Sequence, residues 1–152
     1  DITDSTHPII IKAFKPNSTI ATVSFYTVKG VLESTGTMDG KNRIGKWLYY
    51  YPDGKTLMIE ENYVNGVLDG VFKSYYKTGK ITEILNYKAG KLNGNTKRFA
   101  DNGVLLDDLN YKNGKLEGAA KYYNINGKLI YAGHYKDDEK IGEWEFYKNG
   151  KE

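Results

Sequence analysis

Apolar and aromatic residues alternate with polar ones in short stretches along this chain, and nowhere form a stripe of helical period. The stretch from Gly70 to Asn93, GVFKSYYKTGKITEILNYKAGKLN, shows this most clearly. Alternation over Val71–Tyr76 and Ile81–Tyr87 predicts two strands, and Lys77-Thr78-Gly79-Lys80 between them predicts a turn. A helix is disfavoured. Two or three glycines recur in every 24 residues, each opposing helix by about 1 kcal/mol relative to alanine. No Ser or Asp cap leads into an apolar stripe.

The glycines show that this unit repeats. Gly45, Gly70, Gly94, Gly118 and Gly142 are separated by 25, 24, 24 and 24 residues. A second glycine follows the first four at Gly54, Gly79, Gly103 and Gly127, and the last at Gly150. One aromatic column runs Tyr26, Tyr50, Tyr75, Phe99, Tyr123, Tyr147, and another Tyr63, Tyr87, Tyr111, Tyr135. An imperfect unit starts near Ala21, with Met38 where tyrosine is expected. The final unit breaks off after its first half. The repeat domain therefore covers 21–152, with units starting near 21, 45, 70, 94, 118 and 142. Residues 1–20 stand outside it.

Each turn places glycine where a positive φ is needed: Gly54, Gly79, Gly103 and Gly127 are the structural turn glycines. The opposite turns contain Asn65-Gly66, Ala89-Gly90 and Asn113-Gly114, and Asp138 takes the glycine slot in the fifth unit. Aspartate tolerates that conformation better than most residues.

A single hairpin is not stable alone in water. The expected fold is all-β, an elongated antiparallel meander of stacked hairpins. In this reading the column from Tyr26 to Tyr147 stacks ring on ring along one face. The apolar run Ile9-Ile10-Ile11 with Phe14 is expected to cap the N-terminal edge as an added strand. A docking segment for a partner is the alternative.

The segment from Tyr111 through Gly118 and Tyr123 to Gly127 resembles a MORN repeat (membrane occupation and recognition nexus), with its Y-x-x-G-x-x-x-G start, following aromatic and second turn glycine. Tyr63–Gly79, Tyr87–Gly103 and Tyr135–Gly150 repeat it. The spacing and the Gly-Lys after the turn resemble the bacterial variant class, common in proteins labelled YwqK-type antitoxins of toxin–antitoxin systems. The resemblance implies a hairpin array serving as a scaffold or protein-binding surface. It also brings in phospholipid binding and dimerisation, as linked to MORN proteins.

Composition narrows the chemistry. The 152 residues include 17 Gly and 14 Tyr but no Cys, which excludes a disulfide scaffold, Cys-ligated zinc and a Cys nucleophile. No 18-residue apolar run is present. The net charge is +3, with both signs spread along the chain, so nothing marks a nucleic-acid partner. The two histidines, His7 and His134, are far apart in sequence. No nucleophile elbow, P-loop or zinc-protease motif occurs. Asp137-Asp138-Glu139 lacks the calcium-loop spacing. No catalytic residue, metal or cofactor is expected.

Function is expected in the aromatics that the columns do not absorb. Trp47, Tyr49, Tyr51, Tyr76, Tyr122, Tyr131 and Trp144 form the candidate interaction surface, because Tyr and Trp dominate binding hot spots. The alternative for Trp47 and Trp144 is protection of the sheet ends. The leading expectation is a non-catalytic scaffold for another protein, as a subunit of a larger assembly. Alternatives are an antitoxin, or an anionic-lipid module using Lys55, Lys80, Lys91, Lys115, Lys128 and Lys151; a homo-oligomer is also open. A start resembling a processing product and the absence of Cys slightly favour an extracytoplasmic location.

Overall fold

The computed structural model describes residues 8–148. Asn149-Gly150, His7 and Lys151 lie outside the described residues. Fifteen strands follow one another: β1 (Ile9–Phe14), β2 (Ile20–Tyr26), β3 (Leu32–Asp39), β4 (Asn42–Tyr50), β5 (Leu57–Val64), β6 (Val67–Leu68), β7 (Gly70–Tyr75), β8 (Ile81–Lys88), β9 (Lys91–Leu92), β10 (Gly94–Phe99), β11 (Leu105–Lys112), β12 (Lys115–Leu116), β13 (Gly118–Tyr123), β14 (Leu129–Lys136) and β15 (Glu139–Phe146). They make one open antiparallel sheet in chain order, with no helix among the described residues. Its main path has the order β1-β2-β3-β4-β5-β7-β8-β10-β11-β13-β14-β15. At about 4.8 Å per strand the sheet is roughly 50–55 Å wide.

The three two-residue strands record a break in every inner unit. β6, β9 and β12 each stop two residues before Gly70, Gly94 and Gly118, whose φ values are 112°, 109° and 98°. A side chain is strained there, so glycine is needed. The break is bridged from the neighbouring strand. Asn62, Asn86 and Asn110 donate their side-chain amides to the carbonyls of Val71 (2.6 Å), Asn95 (2.6 Å) and Ala119 (2.9 Å). This asparagine column has the period of the glycines it serves.

The expected turn conformations are present. Gly54, Gly79, Gly103 and Gly127 have φ between 67° and 89°, and Asp138 has φ 72°. Ala89 also adopts φ 47°. Its N–H donates to the Asp69 carboxylate at 3.1 Å, and the next N–H, of Gly90, donates to Leu68 O at 2.8 Å. Gly114 and Asp138 likewise donate to Leu92 O and Leu116 O, so each turn on this rim is tied to the unit before it.

Ring-on-ring stacking along the first aromatic column is not what the structure shows. Among the described ring contacts, none joins successive members of Tyr26, Tyr50, Tyr75, Phe99 and Tyr123. The reason is geometric. Successive members stand two strands apart, about 9–10 Å, while aromatic pairs need centroids about 4.5–7 Å apart. Hydrogen bonds span that gap instead: the Tyr51 hydroxyl donates to Tyr75 O (2.7 Å) and the Tyr76 hydroxyl to Phe99 O (2.9 Å).

Residues directly opposite in an antiparallel pair share a face. One row therefore crosses the whole sheet: Ile10, Phe25, Ser34, Tyr49, Ile59, Ser74, Glu83, Arg98, Asp107, Tyr122, Tyr131, Phe146. We call its side the aromatic face. The opposite face is charged over much of its width, with Glu60 facing Lys73, and Lys97 facing Asp108, which in turn faces Lys121. The buried core is small and lies toward the N-terminal end, where Ala21, Val23 and Trp47 pack with Phe25, Met38, Tyr49 and Tyr63.

Candidate functional site

The aromatic face carries two ring clusters, separated by a stretch where one ring pair, Phe72 and Tyr87 at 6.2 Å, stands among polar residues. In the first, Trp47 has 0% exposure and is covered by Phe25 and Tyr49. Its indole N–H donates to Thr37 O at 3.0 Å. The Arg43 guanidinium lies 4.6 Å above the Trp47 ring and donates to the hydroxyls of Tyr49 (2.6 Å) and Tyr63 (3.3 Å). The Tyr63 hydroxyl donates in turn to the Glu61 carboxylate at 2.6 Å. Burial, with Glu61 and Tyr63 alongside, holds the Tyr49 hydroxyl well above the ordinary tyrosine range. A cation, three rings and a carboxylate thus satisfy one another.

The middle stretch also holds an ion pair. Asp107, buried, accepts two bonds from Arg98, from Nε at 2.9 Å and from an NH2 group at 2.6 Å. Both bonds end on one carboxylate oxygen, and the charge makes them strong.

The second cluster is built by β13, β14 and β15. Tyr122 and Tyr131 stack with centroids 4.3 Å apart. Tyr131 reaches Trp144 and Phe146, each at 6.0 Å, and Tyr135 meets Trp144 edge-on at 5.1 Å. Cross-strand register brings Tyr122, Tyr131 and Phe146 into line. The Tyr122 and Tyr135 hydroxyls lie 3.3 Å apart, and burial beside Tyr135 pushes the Tyr122 hydroxyl far up. The Lys140 ammonium sits 4.4 Å from the Trp144 ring. Unlike Trp47, this cluster is open: Phe146 is 70% exposed.

The seven aromatics singled out from sequence therefore divide. Tyr122, Tyr131 and Trp144 come together in the open cluster. Trp47 and Tyr49 lie in the closed one, and Trp47 is buried and offers no surface. Tyr51 and Tyr76 stand on the turn rim, committed to backbone carbonyls. Phe146, Tyr135 and Lys140 complete the open cluster and were not singled out. The signal for Phe146 and Lys140 is a second internal likeness: Arg43-Ile-Gly-Lys-Trp-Leu-Tyr-Tyr against Lys140-Ile-Gly-Glu-Trp-Glu-Phe-Tyr.

On the charged face, a shallow trough of about 230 Å³ runs over Ala119 and Ala132, rimmed by Lys121, His134, Glu143 and Glu145. Among the described residues no three metal-ligating side chains converge.

The register places the glycine, asparagine and tyrosine columns in successive, equivalent hairpins. The model of the MORN repeat variant matches four segments in the same register, residues 43–65, 68–89, 92–113 and 116–137. The chain is a MORN repeat protein. The matched segments make up more than half of it, and MORN repeats are generally associated with protein or membrane binding. No curated protein matches the chain. β1 to β3 and β15 lie outside the matched MORN segments yet continue the same sheet. The open aromatic cluster thus straddles the last matched repeat and the strand beyond it.

Proposed function

We propose that this MORN protein is a non-catalytic scaffold that holds another protein against the open aromatic cluster of Tyr122, Tyr131, Tyr135, Trp144 and Phe146. The carrying observation is the exposure of Phe146, 70%, on top of a ring cluster otherwise built like a core. Large apolar side chains left uncovered beside packed aromatics are what binding hot spots use. The rigid, hydrogen-bonded sheet below fixes the rings before binding, which lowers the ordering cost of association.

Site-specific photo-cross-linking in the native source tests this reading. A photoreactive residue in place of Phe146 is expected to yield a discrete protein adduct, while one in place of Lys73, on the charged face, yields none. Equal adducts from both faces, or none from Phe146, would overturn it.

A further inference from the structure

The two clusters are built from equivalent residues, so the closed one shows what the open one lacks. Gly36, Arg43, Gly45, Trp47 and Tyr49 correspond to Gly133, Lys140, Gly142, Trp144 and Phe146. In both, an indole lies over a glycine: a β-carbon on Gly36 would come within 2.2 Å of Trp47, and one on Gly133 within 2.3 Å of Trp144. In both, a cation lies over the indole, at 4.6 Å for Arg43 and 4.4 Å for Lys140.

The difference lies on the outer side. β5 pairs with β4 so that Glu61 faces Trp47 and Tyr63 faces Gly45. The Tyr63 hydroxyl accepts from Arg43 and donates to Glu61, and the two side chains close the cluster. Among the described residues no strand pairs with the outer edge of β15. Lys140 makes ring contacts there but no hydrogen bond or ion pair among the described residues.

We propose that the edge of β15 receives an extended strand bearing a Glu-x-Tyr sequence. It lies antiparallel to β15 as β5 lies on β4, with its glutamate facing Trp144 and its tyrosine facing Gly142. The carboxylate and phenol answer the uncompensated Lys140, and the added ring covers Phe146 and Trp144. Strand addition supplies backbone hydrogen bonds, and the two side chains supply the choice of partner. This rests on the open cluster being an interface and names the chemistry of its occupant.

The test uses the full chain and a labelled synthetic peptide with the sequence of Leu57–Val64, read by fluorescence anisotropy. Saturable binding is expected. Glu61→Gln or Tyr63→Ala in the peptide should weaken it about tenfold or more, the size of one charge-assisted contact. Lys140→Glu in the protein should abolish binding of the parent peptide and restore it for a Glu61→Lys peptide. Lys140 is exposed, and Lys140→Gln carries the same test if the charge reversal impairs folding. Absence of saturable binding, equal binding of all three peptides, or indifference to Lys140 would overturn the proposal. So would self-association of the chain that Lys140→Glu removes, because the occupant would then be a second copy. If the peptide fails while Phe146 still cross-links to a partner, the interface stands and only the Glu-x-Tyr occupant falls.

Discussion

Gly36 lies directly beneath the indole of Trp47. A β-carbon built on Gly36 would stand 2.2 Å from Cδ2 of that ring, far inside van der Waals contact. Trp47 is fully buried and hydrogen-bonded to Thr37 O, so it has no free direction in which to retreat. Gly36→Ala is therefore expected to destabilise the protein by about 2–3 kcal/mol, the usual scale of overpacking a closed core. Urea denaturation followed by far-UV circular dichroism measures it. A change below about 0.5 kcal/mol would mean that the indole moves aside.

The asparagine column makes a prediction about additivity. Asn62, Asn86 and Asn110 each bridge one break in the sheet. Replacing any one with alanine removes a hydrogen bond to a backbone carbonyl and should cost about 1 kcal/mol. In an array whose stability sums over neighbouring units, the triple variant should lose about 3 kcal/mol. Thermal and urea melts of the single and triple variants check this.

Acid and base should each destabilise the sheet, and one cross-strand pair contributes to both. Burial pushes Glu60 up, but bonds from the Tyr75 hydroxyl (2.8 Å) and Lys46 (3.3 Å) outweigh it and hold the carboxyl below its ordinary 4.5. A carboxyl lowered on folding contributes stability that is present above its unfolded value and is lost as pH falls through the folded one. Its partner behaves oppositely: burial, then the bond to Glu60, pushes Tyr75 up to about 12. That contribution is present below pH 10 and is lost as pH rises towards 12. Urea midpoints recorded from pH 2.5 to 11.5 should fall at both ends. Glu60→Gln should lessen the fall in acid, where Asp108 also contributes, and Tyr75→Phe the fall in alkali, where Tyr49 and Tyr122 also contribute.

The two tryptophans should report their different surroundings. Trp47 is fully buried, whereas Trp144 is half-buried in the open cluster. Emission from a Trp144→Phe variant should therefore be blue-shifted and resist acrylamide, while the parent protein shows an added quenchable fraction. Free quenching of the variant would place Trp47 at the surface.

Much of this was legible in the sequence because backbone conformation writes itself into glycine. A positive φ at Gly79 or Gly127 recurs at a fixed period, and Asp138 is readable as a substitute because aspartate tolerates that region. The break before Gly70 was not legible. Asn62 in a strand reads as a weak strand former, and its purpose appears only when the opposite carbonyl is in place. The aromatic ladder failed because residues at equal positions in successive units share a face but stand two strands apart. The ring contacts join neighbouring strands instead, as with Tyr122 and Tyr131. Gly36 and Gly133 stand outside every column, and the reason is the tryptophan lying on each. Tyr51 and Tyr76 look free in sequence because nothing there shows that their hydroxyls reach the next unit's backbone.

The central claim, that the aromatic face of the last repeats is the binding surface, is tested most directly by affinity. The protein cross-linked from position 146 would be purified and titrated against two paired variants by calorimetry. Tyr131→Ser with Phe146→Ser alters the open cluster, and Lys73→Ser with Lys97→Ser alters the charged face. The account predicts about a hundredfold loss for the first pair, on the scale of hot-spot residues, and less than about threefold for the second. Equal losses, or a larger loss from the charged face, would contradict it.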